Sequence, residues 1–299
     1  MSIELIISVI KANIVLAVLL TNTILLIWFE RKVVAGMQSR VGPDRAGPFG
    51  ILQTLADAIK LLLKEQILPS KADRAMYLLA PLIALVPSFL IFMIIPLGPD
   101  ITVEWQNALY TIPLVGADLN VGVLYFLALS SIAVYSVVLA GWSSGSKYPL
   151  LGGVRASAQM ISYEAAMGLA LVPVILYSGS LSLVDIVNSQ SGNLSSSIPI
   201  LNTIVSFIPK WNIFPQFVAF GIFFIAAVAE VNRAPFDLVE AEQELVGGFH
   251  TEYSGFRFAM FFLAEYINMF NMCAITATFF LGGWLGPTFE GILPPIFSV

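Results

Sequence analysis

The sequence predicts an all-α protein, a polytopic bundle of transmembrane helices, and three observations carry that prediction. Of the 299 residues, 58% are hydrophobic and only 11% are charged, whereas soluble globular domains carry a charged fraction of about 25%. Six apolar windows fall at 3–29, 77–97, 119–141, 155–178, 211–230 and 256–282, each near the roughly 20 residues that cross a hydrocarbon core of about 30 Å. The basic residues gather in alternate connections between these windows. Arg31, Lys32, Arg40, Arg45, Lys60, Lys64, Lys71 and Arg74 lie in the first connection, Lys147 and Arg155 in or beside the third, and Arg233 and Arg257 in or beside the fifth. Only Lys11 and Lys210 of the 14 basic residues lie elsewhere. The positive-inside rule therefore assigns loops 30–76, 142–155 and 231–255 to the cytoplasm or its topological equivalent, and both ends to the far side.

Taken in order, the first window has no basic stretch ahead of it and runs well past the apolar length of a signal peptide, so it reads as a span. In the loop that follows, "GPDRAGP" breaks any continuation of that span, and Pro48 sits near the first turn of a new helix. Residues 49–65, "FGILQTLADAIKLLLKE", place Gln53, Asp57, Lys60 and Lys64 at spacings of 4, 3 and 4, which draws one polar stripe on a helix that is otherwise apolar. That helix is too short and too charged to span, so it lies at the membrane surface or caps the bundle. A purely anchoring role, without chemistry, is the plain alternative. "GSKYPLLGG", residues 145–153, lacks the glycine spacing of a phosphate-binding loop and reads as the turn between the third and fourth spans. No repeat of 20–50 residues divides the chain, which is expected to form a single membrane domain over 1–299.

Chemistry is confined to carboxylates. One cysteine, Cys273, and one histidine, His250, exclude a disulfide framework, a cysteine-held iron–sulfur cluster and a bis-histidine haem within this chain. His250 reads as a surface residue, and Cys273 as packing. Glu164 follows Arg155 by nine residues and Glu265 follows Phe256 by nine, so each lies ~13 Å below the inner surface at about 1.5 Å of rise per residue. A charge at that depth costs on the order of 2.5–3.5 kcal/mol and usually faces a bundle interior or a wet cavity. The stretch "EVNRAPFDLVEAEQELVGGFHTE", residues 230–252, sets Glu230, Asp237, Glu240, Glu242, Glu244 and Glu252 against one arginine, Arg233. An acidic series can be drawn from Glu240, Glu242 and Glu244 past Glu230 to Glu164 and Glu265. Two plainer readings stand beside it: each buried glutamate bonds a neighbouring helix, or the loop is simply solvated. Glu240, Glu242 and Glu244 share a face only if the chain is extended, and Pro235 with Gly247–Gly248 favours an irregular segment there.

Three inner segments carry a resemblance: "ERKVVAGMQSRVGPDRAGPFGILQTLADAIKLLLKE" at 30–65, "YPLLGGVRASAQMISYE" at 148–164 and "EVNRAPFDLVEAEQELVGGFHTEYSG" at 230–255. Together they are similar to the quinone-chamber membrane subunit of the proton-pumping NADH:quinone oxidoreductase, respiratory complex I. The resemblance implies a chamber for quinone, the substrate, lined or shaped by Arg31, Phe49, Gln53, Asp57, Arg233, Phe236 and Asp237. It also implies a proton or charge relay through Glu164, Glu230, Glu240, Glu242, Glu244 and Glu265. NADH, flavin and iron–sulfur clusters would belong to partner subunits: the quinone-site subunits of the hydrophilic arm, including the carrier of the terminal cluster, and small membrane subunits alongside. Membrane lipid is a further partner and nucleic acid is not. The chain would act in a translocase, as a multi-pass protein of an energy-transducing membrane, the bacterial plasma (inner) membrane. Glu30, beside Arg31 and Lys32, either joins the chamber mouth or forms an ion pair. The family usually has eight spans, the last two joined by a basic inner loop with a Pro-Arg-x-Arg run; with the sequence stopping at Val299, those two spans are expected to be missing from it. The rival readings are the anchor subunit of a membrane-bound energy-converting hydrogenase, an independent proton channel or transporter, and a passive anchor for a soluble arm.

Overall fold

The computed structural model describes residues 3–105, 108–194, 209–237 and 246–286. Its helices are α1 (Ile3–Met37), α2 (Gln53–Leu63), α3 (Arg74–Met93), α4 (Gly122–Ser143), α5 (Lys147–Ser178), α6 (Leu183–Ser189), α7 (Phe217–Glu230) and α8 (Gly255–Phe280). Between α3 and α4 stands a small antiparallel hairpin, β1 (Ile101–Trp105) and β2 (Ala108–Ile112), in the register Ile101↔Ile112 to Trp105↔Ala108. The fold is the all-α, polytopic one that the sequence predicts, and this hairpin is a small β addition to it. Its β-branched and aromatic run, "ITVEW" against "ALYTI", suits a pleated strand better than a helix.

Among the described residues, five helices, α1, α3, α4, α5 and α8, are long and apolar enough to cross a membrane. The fifth predicted span is shorter than expected, since α7 has 14 residues, about 21 Å at the helical rise. Residues 211–216 are turns instead of the helix's first turns, because their polar groups cap the far end of α8. Asn212 Nδ2 donates to Phe279 O at 2.8 Å, and Trp211 Nε1 donates to Leu285 O at 3.2 Å. Gln190, almost wholly buried, completes this knot: its Nε2 donates to Thr278 O, and its Oε1 accepts from the amides of Asn212 and Gly282.

Other boundaries differ from expectation for equally local reasons. Helix α1 runs on past residue 29, so that Glu30 and Arg31 ride a rigid extension of the span. Helix α5 starts at Lys147, so "GSKYPLLGG" is not the turn that its glycines suggest; residues 144–146 make the turn. Pro149 is tolerated because the first helical turn needs no amide donor there. Helix α2 is shorter than 49–65 and is preceded by the tight turn Pro48–Gly50. Gly50 has φ 76°, and a Cβ there would lie 2.3 Å from Pro43 O, so only glycine fits. Asp73 caps α3, accepting from the amides of Ala75 at 3.1 Å and Met76 at 3.4 Å.

The core lies where α3, α4, α5, α7 and α8 meet. Phe92, Phe126, Met167, Leu171, Phe223, Ile267 and Phe279 are all essentially inaccessible there. Helix α1 joins mainly through α8 and α2, while Val9, Ile10, Ile14 and Phe29 point outward. In a chain with these spans, such apolar exposure suits contact with acyl chains or with other membrane helices.

Candidate functional site

Among the described residues, two cavities lie near the helix ends that lead into the 30–76 and 231–255 loops. The larger, of about 430 Å³, opens between α1, α2 and α8. Its walls are apolar, with Ile24, Ile27, Leu55, Leu62, Met260 and Leu263 among them, and its polar feature is the pair Arg31 and Asp57, with Lys60 and Lys64 beside it. Arg31 Nη1 donates to Asp57 Oδ2, and Gln53 Nε2 donates to Asp57 Oδ1 at 2.9 Å. Burial alone would push the Asp57 carboxyl up, but the hydrogen bonds from Arg31 and Gln53 outweigh it and hold the group below the ordinary carboxylate value. A long apolar body with a small polar head fits such a space. Of the chamber residues expected from the sequence, Arg31 and Asp57 line this cleft and Gln53 braces them. Phe49 is instead largely exposed; its carbonyl is held by Trp28 Nε1 at 2.9 Å.

The second cavity, about 80 Å³, has largely apolar walls, including Val137, Phe258 and Phe262, but polar groups converge in it and it is large enough for several waters. Glu230 from the end of α7, Glu265 and Asn268 from α8, Ser136 from α4, and Asn232 and His250 from the loop between α7 and α8 all reach it. Arg233 stands beside this second group and not in the first cleft. Its Nη1 donates to Glu30 Oε1 at 3.1 Å, and its Nη2 lies 3.2 Å from Glu265 Oε1, an ion pair without hydrogen-bond alignment. The guanidinium also sits 4.6 Å over the Tyr266 ring, while Tyr266 OH donates to Glu30 Oε2 at 2.6 Å. Burial would lower the Arg233 pKa, but the carboxylates of Glu265 and Glu30 and the Tyr266 phenol raise it above its ordinary value. Glu30 and Arg31 are consecutive on α1, so one helix carries both clusters.

Glu164 sits near the middle of α5. It accepts hydrogen bonds from Ser130 Oγ at 3.1 Å and from Ser131 Oγ, both on α4. It is close enough to Glu230 for their charges to interact. The segment 231–237 is stapled to α5 by Gln159, whose Nε2 donates to Ala229 O at 3.0 Å and to Phe236 O at 2.8 Å. Phe236 packs edge-on against Tyr163 at 5.4 Å. Asp237 is exposed, and its carboxylate lies close enough to act electrostatically on His250. Glu240, Glu242 and Glu244 lie outside the described residues.

Residues 246–255 return the chain to α8. Gly152 lets this turn approach α5, since a Cβ there would lie 2.7 Å from Gly248 C. Phe249 then enters between α4, α5 and α8, packing against Val134, Val137, Ala156 and Phe261. His250 is consequently not the surface residue expected from its place in a charged loop. It lines the second cavity between the rings of Phe249 and Phe258, and burial pushes its pKa down to about 4 despite the opposing charge of Asp237. Sequence reasoning missed His250, Tyr266, Gln159 and the pair Ser130–Ser131. The one available signal was the serine pair, two adjacent hydroxyls in the middle of an otherwise apolar span.

The family model described as NADH dehydrogenase matches residues 10–298. The chain is 51% identical over 286 residues to an NADH-quinone oxidoreductase subunit of Syntrophobacter fumaroxidans, covering 96% of this chain and 79% of the relative. It is 51% identical over 292 residues to the corresponding NADH-quinone oxidoreductase subunit of Geobacter metallireducens, covering 94% and 79%. With that of Thermomicrobium roseum it shares 51% identity over 289 residues, covering 97% and 82%.

Proposed function

Because this chain belongs to the NADH dehydrogenase family and its relatives are subunits of NADH-quinone oxidoreductase, we propose that it forms part of the chamber in which quinone is reduced and passes the resulting charge or protons into the membrane. The observation that carries this reading is the pair of neighbouring cavities, one apolar with an Arg31–Asp57 head and one acidic, linked by consecutive residues of α1. The donor of the electrons, an iron–sulfur cluster, is placed on a neighbouring subunit, together with the flavin and the NADH site.

Quinone becomes quinol by taking up two electrons and two protons. Between those events negative charge stands on the ring oxygens in a space shielded from water, where Coulomb energies are several times those in solvent. Arg31 is held by Asp57 at the polar end of the cleft, where it can stabilise that charge. The same change of field reaches Glu30, and through Arg233 it reaches Glu265 and the cavity shared with Glu230. Glu164 continues the file toward the middle of α5, with Ser130 and Ser131 holding its carboxylate in place. Glu240, Glu242 and Glu244 would feed the file from the inner loop. Carboxylates coupled this closely titrate as a set.

A quinone with a photoreactive group on its tail tests the chamber directly. Irradiated with the assembled complex, it should label residues of the α1–α2–α8 cleft such as Ile27, Leu55 or Met260, and an excess of plain quinone should compete. Labelling confined to other faces of the chain would overturn the assignment.

A further inference from the structure

Helix α3 contains Pro81. A proline has no amide hydrogen, so the carbonyl four residues earlier, that of Tyr77, loses its helical partner. Tyr77 is wholly buried, and a buried carbonyl without a partner is costly. The structure supplies one from 176 residues away: Tyr253 OH donates to Tyr77 O at 3.2 Å. The exchange is reciprocal, since Tyr77 OH donates to Glu252 O at 2.7 Å. The two rings stack with centroids 4.1 Å apart and planes within 4°, and Arg257 lies 5.5 Å over the Tyr77 ring. Burial raises the Tyr253 phenol far above its ordinary value, so it stays protonated and remains a donor.

We propose that Tyr77 and Tyr253 are positioning residues: a two-way clasp, built across the carbonyl that Pro81 leaves open, that holds the 246–255 turn as a wall of the second cavity. Two further ties, among the described residues, hold the turn from other sides. Ser254 Oγ accepts from the Ile67 amide at 2.9 Å, and Gly248 rests against Gly152. The turn carries Phe249 and His250, which line the same cavity as Glu230 and Glu265. A loosened turn admits water from the inner surface, so these carboxylates exchange protons with bulk solvent instead of with the quinone chamber. That consequence rests on the relay reading above; the clasp itself does not.

The test uses the assembled membrane complex carrying Tyr253→Phe, which keeps the stacked ring and removes only the hydroxyl. Hydrogen exchange over 246–255 should speed about tenfold, equivalent to about 1.4 kcal/mol, with α4 and α5 unchanged. Tyr77→Phe, which removes the reverse bond, should loosen the same turn. Adding Pro81→Ala to Tyr253→Phe returns an amide to the Tyr77 carbonyl but not its tie to the turn, so the turn should still exchange fast. Unchanged exchange in Tyr253→Phe overturns the clasp, as does wild-type exchange in the double variant, which would mean that only the orphaned carbonyl mattered. In the same samples, protons moved per quinone should fall with the KM for quinone unchanged. Fast exchange with full stoichiometry would support the clasp and overturn the relay reading.

Discussion

Replacing Arg233 by glutamine removes the cation set between Glu30 and Glu265. At 3.1 and 3.2 Å, and with an effective dielectric constant of about 20, each pair is worth about 5 kcal/mol of gross Coulomb energy. Desolvation of the three charges offsets most of that. Breaking a fully buried pair costs about 3–5 kcal/mol. Here the three side chains keep between 26% and 37% of their surface, so solvent screening brings the expected loss to about 2–3 kcal/mol. Stacking on Tyr266 adds about 0.5–1 kcal/mol that glutamine cannot replace. The assay is a double-mutant cycle on the thermal stability of the purified complex, comparing Arg233→Gln, Glu265→Gln and the two together. Removing both charges relieves the strain left by removing one, so the effects should fall short of additivity by at least about 1 kcal/mol. Additivity within about 0.5 kcal/mol, the behaviour of independent sites, would show that the two residues do not act as a pair and would refute the reasoning.

Two further outcomes follow from the same geometry. His250 titrates near 4 in the fold and near 6.5 when unfolded, so the native state binds fewer protons and stability falls as pH drops from about 6.5 to about 4. The loss is on the order of 2–3 kcal/mol and should vanish in His250→Asn; a wild-type and a variant that lose stability in parallel between pH 7 and pH 4 would contradict it. Glu164→Gln should leave assembly intact, because Ser130 and Ser131 can still donate to the amide oxygen, while proton translocation linked to quinone reduction falls severalfold. Full pumping by the assembled variant would remove Glu164 from the relay.

Elements governed by neighbours in sequence are legible without coordinates. The spans follow from apolar windows long enough to cross a bilayer, and the expected orientation follows from where lysine and arginine cluster. The polar stripe of α2 is visible in the spacing of Gln53, Asp57, Lys60 and Lys64, and Gln53 and Asp57 do meet one turn apart, at 2.9 Å. Where sequence reasoning slips, a distant residue has overruled a local preference. The glycines of "GSKYPLLGG" point to a turn because glycines are common in turns, yet Gly152 is there so that Gly248 can approach a helix. Trp211 and Asn212 read as span, but the end of α8 claims their hydrogen-bonding groups.

The choice of partner for each charge lies beyond what composition and periodicity determine. The sequence alone predicts acids set within apolar windows, where they call for compensating partners, because removing a charge from water is costly unless something nearby offsets it. The tertiary structure decided how. Glu30 reaches Arg233 across 203 positions and Tyr266 across 236, while its neighbour Arg31 turns to Asp57 in a different cavity. Helix packing sets those distances to within an ångström, and no local spacing rule carries that information.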